Sequence, residues 1–145
     1  MVRKLGRVAA GLAAAVGMVV LSSGVLTADD KEKTPTIEEI MKKGHQGSKS
    51  LLKGIAAQAK EGKWDDALDG AKTLKMFGEA LGKNKPDKGT TESWKKLTDK
   101  YKENTASVYK AVEKKDVTAV NDALGKVTGA KGANCSECHK IHKGD

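Results

Sequence analysis

From Thr34 onward the apolar positions recur at threes and fours, and no stretch alternates in the manner of a strand, so the chain predicts helices and no sheet. A first helix is expected over residues 34–60: Thr34 can cap it, Pro35 suits its first position, and Ile37, Ile40, Met41, Gly44, Ser48, Leu51, Leu52, Ile55 and Ala59 form the inward stripe. Gly62 punctuates its end. A second is expected over residues 63–81, with Trp64, Ala67, Leu68, Ala71, Leu74, Phe77, Gly78 and Leu81 on one face. Residues 82–91, carrying Pro86 and Gly89, read as a loop. The third helix is expected over residues 92–114, with Trp94, Leu97, Thr98, Tyr101, Val108 and Val112 inward. Asp116 caps a fourth, in which Val117, Val120, Leu124 and Val127 keep the spacing until Gly129 and Gly132 interrupt it. Four amphipathic helices on short connections predict an all-α antiparallel four-helix bundle.

Ahead of Thr34 the pattern changes. Arg3, Lys4 and Arg7 precede an uncharged apolar run over residues 8–21 and a small-residue exit over 22–28, the layout of a secretory signal peptide. A retained membrane anchor would need about 20 apolar residues, more than this run supplies. The expected domains are therefore a signal peptide over 1–28 and one helical domain over 29–145. Ala28 fits the cleavage position, while the bulky Leu26 leaves the exact bond open. No Cys follows the leader, which excludes lipid attachment there. Export places Cys135 and Cys138 in a compartment that permits disulfides, taken here as the periplasm, with no stable membrane insertion after cleavage.

Composition sharpens the problem. Removing 28 of 145 residues leaves 117, and losing three basic side chains lowers the formal charge from +8 to +5. Leu, Ile, Val and Phe then make up about 15% of the chain, below the roughly 20% under which charged chains tend to stay disordered. The helical periodicity argues for folding nonetheless. The inward stripes are thin, rich in Ala, Gly, Ser and Thr, and each such residue buries little apolar area at about 25 cal/mol per Å². A guest that completes the core would reconcile the two observations.

The chemistry that selects a guest is at the carboxyl end. Cys135, Ser136, Glu137, Cys138 and His139 spell CxxCH. On a helix the two thiols and the imidazole emerge from one side, so the thiols can form thioethers to the two vinyl groups of a haem while His139 reaches the iron axially. One covalent haem c is the expected cofactor. Other readings of the same residues are a disulfide or thioredoxin-like centre, which lacks its βαβ context, and a zinc site from Cys135, Cys138, His139 and His142, which lacks a second ligand pair at finger-like spacing.

A leader, a four-helix pattern and a single CxxCH near the end of the last helix resemble the class II c-type cytochromes, the cytochrome c prime family. The motif continues as CSECHKIHK, and Lys143 matches the basic residue that the family commonly carries four positions after the histidine. The resemblance implies an antiparallel bundle with haem between its helices, the first helix facing the open side of the iron, and it allows a homodimer. It makes Met41, on the inward stripe, the candidate distal ligand, and His45, one turn later, the alternative. For Met41 the competing reading is packing, and for His45 it is a solvated surface position among Lys42, Lys43 and Gln46. Lys143 is a candidate partner for a haem propionate or a support on the proximal side.

Other residues carry weaker expectations. His142 reads as a surface residue or one near the haem edge, and Met76 as core or rim. Gly44 and Gly47, inside the expected first helix, either let the backbone approach the porphyrin or are tolerated. Trp64, Trp94, Tyr101 and Tyr109 pack around the macrocycle or in the ordinary core.

The function expected is a small periplasmic electron carrier, its lysine-rich surface suited to acidic redox partners. A five-coordinate haem protein that binds diatomic gases is the alternative, and a non-haem metal-binding helical protein the second. No constellation of nucleophile, base and orienting acid points to an enzyme. Basic residues interspersed with Asp and Glu argue against nucleic-acid binding.

Overall fold

The computed structural model describes residues 33–129 and 135–144. The leader expected over residues 1–28, its cleavage point and Gly132 lie outside the described residues. Within them all regular structure is helical: α1 (Ile37–His45), α2 (Leu51–Lys60), α3 (Trp64–Leu81), α4 (Thr91–Glu113), α5 (Val117–Thr128) and α6 (Cys135–His142).

The single first helix expected over residues 34–60 is two helices. It starts at Thr36, not Thr34, because Thr36 closes a capping box with Glu39: the Glu39 amide donates to Thr36 Oγ1 at 3.2 Å and the Thr36 amide to Glu39 Oε2 at 2.9 Å. The break follows His45. Gly47 adopts φ +76°, a left-handed conformation that glycine takes without steric cost, and the chain re-enters a helix only after Ser50. Gly47 therefore ends a helix, and only Gly44 lies inside one. The second and third expected helices match α3 and α4 to within a residue at each end. Asp116 caps α5 as expected, its carboxylate accepting from the Ala119 amide at 2.9 Å. The CxxCH motif stands on a helix of its own, α6.

Burial divides into two clusters. The larger draws on α2 (Leu52, Ile55, Ala59), α3 (Ala67, Ala71, Leu74), α4 (Val108, Ala111, Val112) and α5 (Val120, Ala123, Leu124, Val127). Small residues let α3 and α4 approach closely: a Cβ on Gly78 would overlap Thr105 Oγ1 and lie 3.2 Å from Lys102 Cα. The second cluster is small, with Ile40 of α1, Phe77, Ala80 and Leu81 of α3, and Trp94 of α4. Met41, Tyr101 and Cys138 pack against it partly buried. Cys138 of the motif thus packs on the smaller of the two clusters.

Asn84, in the turn after α3, ties this end together. Its Nδ2 donates to the carbonyls of Ala80 at 3.0 Å and Pro35 at 3.1 Å, and its own carbonyl accepts from Trp94 Nε1 at 2.8 Å. One side chain and its backbone satisfy the end of α3, the approach to α1 and the indole of α4, so the Asn84 amide and the Trp94 N–H both have acceptors.

Candidate functional site

α6 presents Cys135 and Cys138, each half-buried, and an exposed His139. The cysteines are separate thiols. Cys135 Sγ donates to the Val127 carbonyl at 3.5 Å, anchoring the helix start to the end of α5. Burial pushes both thiols above the usual range, and for Cys138 the neighbouring Cys135 and Glu137 add to the effect. Both are therefore protonated near neutral pH, the state of an unmetallated and poorly nucleophilic cysteine.

These three residues face α1 and α4 across a cavity of about 200 Å³. Its walls include Met41 and His45 of α1, Leu81 of α3, and Leu97, Tyr101 and Asn104 of α4. All five candidate donors, Met41, His45, Cys135, Cys138 and His139, border this one space. Met41, Cys138 and His139 also border a wider groove of about 740 Å³, whose other walls carry Trp94, His142, Lys42, Lys85 and Lys143. The motif helix therefore stands between an apolar chamber and a polar groove, whose walls also carry Glu38 and Asp87 beside the three lysines. Two thiols, an imidazole and a thioether beside an apolar chamber are the donor types and surroundings that a covalently held haem would require.

His45 departs from the surface position expected for it. It is half-buried, its Nε2 lies 2.9 Å from the Tyr101 hydroxyl, and the two rings are 5.6 Å apart at 41°. Loss of solvent, and secondarily the nearby His139, hold its pKa below the ordinary histidine value. Burial likewise pushes the Tyr101 phenol well up, so it stays a neutral hydroxyl. Gly44 brings the α1 backbone to this spot: a Cβ there would lie 3.7 Å from the Phe77 ring and 4.0 Å from the Tyr101 hydroxyl.

His142 also departs from expectation. It is 3% exposed and uses both ring nitrogens. Nδ1 lies 2.8 Å from the Lys88 carbonyl, which can only accept, so Nδ1 carries the proton; in the neutral ring Nε2 then accepts from Ser93 Oγ at 2.6 Å. Trp94 meets the ring edge-on at 5.2 Å. Gly89, at φ +87°, leaves the space in which the ring sits, since a Cβ there would fall 2.5 Å from Nδ1. This commitment removes His142 from the zinc set, and no group of three His, Cys, Asp or Glu placed to hold a metal ion occurs among the described residues.

The remaining expectations sort by location. Lys143 is exposed on the groove, its amide donating to the His139 carbonyl at 3.3 Å. Of the four aromatics assigned to the macrocycle or the core, Trp94 and Tyr101 border the two spaces, whereas Trp64 and Tyr109 pack on the larger cluster away from them. Met76 is 40% exposed, at the surface. Asn84, Ser93 and the Tyr101 hydroxyl are hydrogen-bond partners around this region that sequence spacing does not single out, because their contacts depend on residues far along the chain.

Among the described residues no helix is long and apolar enough to cross a membrane. No family model, no curated protein and no solved structure matches this chain.

Proposed function

We propose that the chain is a c-type cytochrome of the periplasm, an antiparallel helical bundle that carries one covalent haem c and transfers electrons. The observation that carries this reading is convergence. Met41 and His45, about ninety residues before the CxxCH motif, border the same cavity as Cys135, Cys138 and His139. An ordinary core has no need to gather both candidate axial donors opposite a haem-attachment motif.

In this reading Cys135 and Cys138 hold the haem through thioethers and His139 is the proximal ligand. When bound, the haem supplies an iron that gains and loses one electron. Leu81, Leu97 and Tyr101 would line the apolar side of the site, and Lys143, with Lys42 and Lys85, would offer charge to the propionates from the groove. Met41, which borders both spaces with Cys138 and His139, would be the distal ligand, and a thioether there would raise the reduction potential relative to a second imidazole. Exposed lysines around the groove suit an acidic redox partner and a salt-sensitive encounter.

The gas-binding reading keeps one specific support. With His45 Nε2 engaged by Tyr101, only Met41 stands against an open coordination position. Expression in a haem-attaching host separates the two. Covalent haem is read from the mass of the peptide containing Cys135 and Cys138, and oxidised and reduced spectra are recorded with and without carbon monoxide. A low-spin spectrum indifferent to carbon monoxide supports electron transfer, and ready binding supports the gas reading. A colourless protein with an unmodified peptide sinks both.

A further inference from the structure

Two side chains of α1 could serve as the distal ligand, and the structure treats them differently. His45 Nε2 is 2.9 Å from the Tyr101 hydroxyl. If the hydroxyl donates, it occupies the nitrogen's lone pair; if Nε2 carries the proton, there is no lone pair to give. Either arrangement withholds Nε2 from a metal. Tyr101 is itself firmly placed. It lies in the middle of α4, packs against both clusters, and meets the α1 backbone where Gly44 leaves it uncovered. Met41, one turn earlier, has no such polar partner to lose. Its thioether borders the cavity and the groove together with Cys138 and His139.

We infer that Tyr101 is the positioning residue that selects the distal ligand, holding His45 away from the iron and leaving that place to Met41. This rests on the cytochrome reading above. The hydrogen bond that the Tyr101 hydroxyl makes is to His45. Its ring lines the cavity, while its hydroxyl acts through His45, so loss of the hydroxyl alone bears on ligand identity and potential.

The experiment uses the haem-loaded Tyr101→Phe variant, which keeps the ring and removes the hydroxyl. The wild-type ferric spectrum is expected to carry the far-red thioether-to-iron charge-transfer band, and Met41→Ala to abolish it. Tyr101→Phe is expected to weaken or lose that band while staying low-spin, with a lower reduction potential, because a freed imidazole displaces the thioether. Adding His45→Ala to Tyr101→Phe should restore the band and the potential. His45→Ala alone should leave both as in the wild type, which keeps the inference testable if Tyr101→Phe folds poorly. A Tyr101→Phe protein with wild-type band and potential overturns the inference, as does a His45→Ala protein that changes ligation. A coloured protein showing either result leaves the cytochrome reading intact, whereas absence of covalent haem overturns both.

Discussion

His142 and Ser93, 49 residues apart in the chain, meet in a hydrogen bond of 2.6 Å between Nε2 and Oγ. With the opposite ring nitrogen on the Lys88 carbonyl at 2.8 Å, this pins the helix that carries the CxxCH motif to the start of α4 and the loop before it. The pin lies one turn beyond His139, so the orientation of α6 depends on it.

Replacing His142 with Ala should therefore cost about 2–4 kcal/mol, the sum of two neutral hydrogen bonds near 1 kcal/mol each and a cavity beside Trp94. Urea unfolding midpoints check this. His142→Gln, which keeps a donor and an acceptor, should retain part of the loss. A His142→Ala midpoint equal to wild type would show that α6 is held by its other contacts.

Gly78 should resist enlargement. An added methyl would strike Thr105 Oγ1 and crowd Lys102 Cα. Overpacking of this kind costs about 1–3 kcal/mol, against a gain of up to about 1 kcal/mol from helix propensity, so Gly78→Ala is expected to destabilise. Combined with Thr105→Ala, which removes the hydroxyl it meets, the loss should be smaller than the two single losses added together. A double-mutant cycle in urea measures that coupling; strict additivity would mean that α3 and α4 simply move apart.

The amino end of α1 should loosen in acid. Hydrogen bonds from Thr36 hold the Glu39 carboxyl below its usual value of 4.5. A carboxylate with a lowered folded-state pKa stabilises the fold fully above the unfolded value, and that contribution fades as pH falls through the folded one. Exchange protection of the α1 amides, corrected for intrinsic rates, should fall between about pH 5 and pH 3. Glu39→Gln should remove this dependence, and an unchanged pH profile in that variant would exclude the capping box as its source.

Removal of both CxxCH cysteines bears on the thin core. With the cytochrome reading, Cys135→Ala combined with Cys138→Ala should lose covalent colour and also stability, because a group that binds only the folded state stabilises it. Thermal unfolding followed by circular dichroism is the measurement. A double variant as stable as wild type would mean that the small core of Ile40, Phe77, Leu81 and Trp94 suffices without a guest.

Spacing and structure agree at some residues and part at others. Helices α3, α4 and α5 are legible from their stripes, and Asp116 from its capping chemistry, because both signals are local and repeat within one or two turns. The first helix is legible in content but not in continuity. Ile37 to Ala59 hold a plausible stripe across residues 46–50, yet Gly47 takes a left-handed conformation there and the register is set anew at Ser50. Thr34 and Thr36 are equally good caps by type. Only Thr36 has a glutamate three residues on, a signal present in the sequence.

By itself, then, the amino-acid sequence determined the helical class, most helix ends and the CxxCH spacing of Cys135, Cys138 and His139, since each is written in residues a few positions apart. It carried no statement of which helix faces which. Only the tertiary structure decided that His45 meets Tyr101, 56 residues away, and that His142 is buried against Ser93 and Lys88. Periodicity reports that a face is turned inward. The partner on the other side is chosen by packing, by the small residues that let helices approach, and by the need of each buried polar atom for an acceptor or donor.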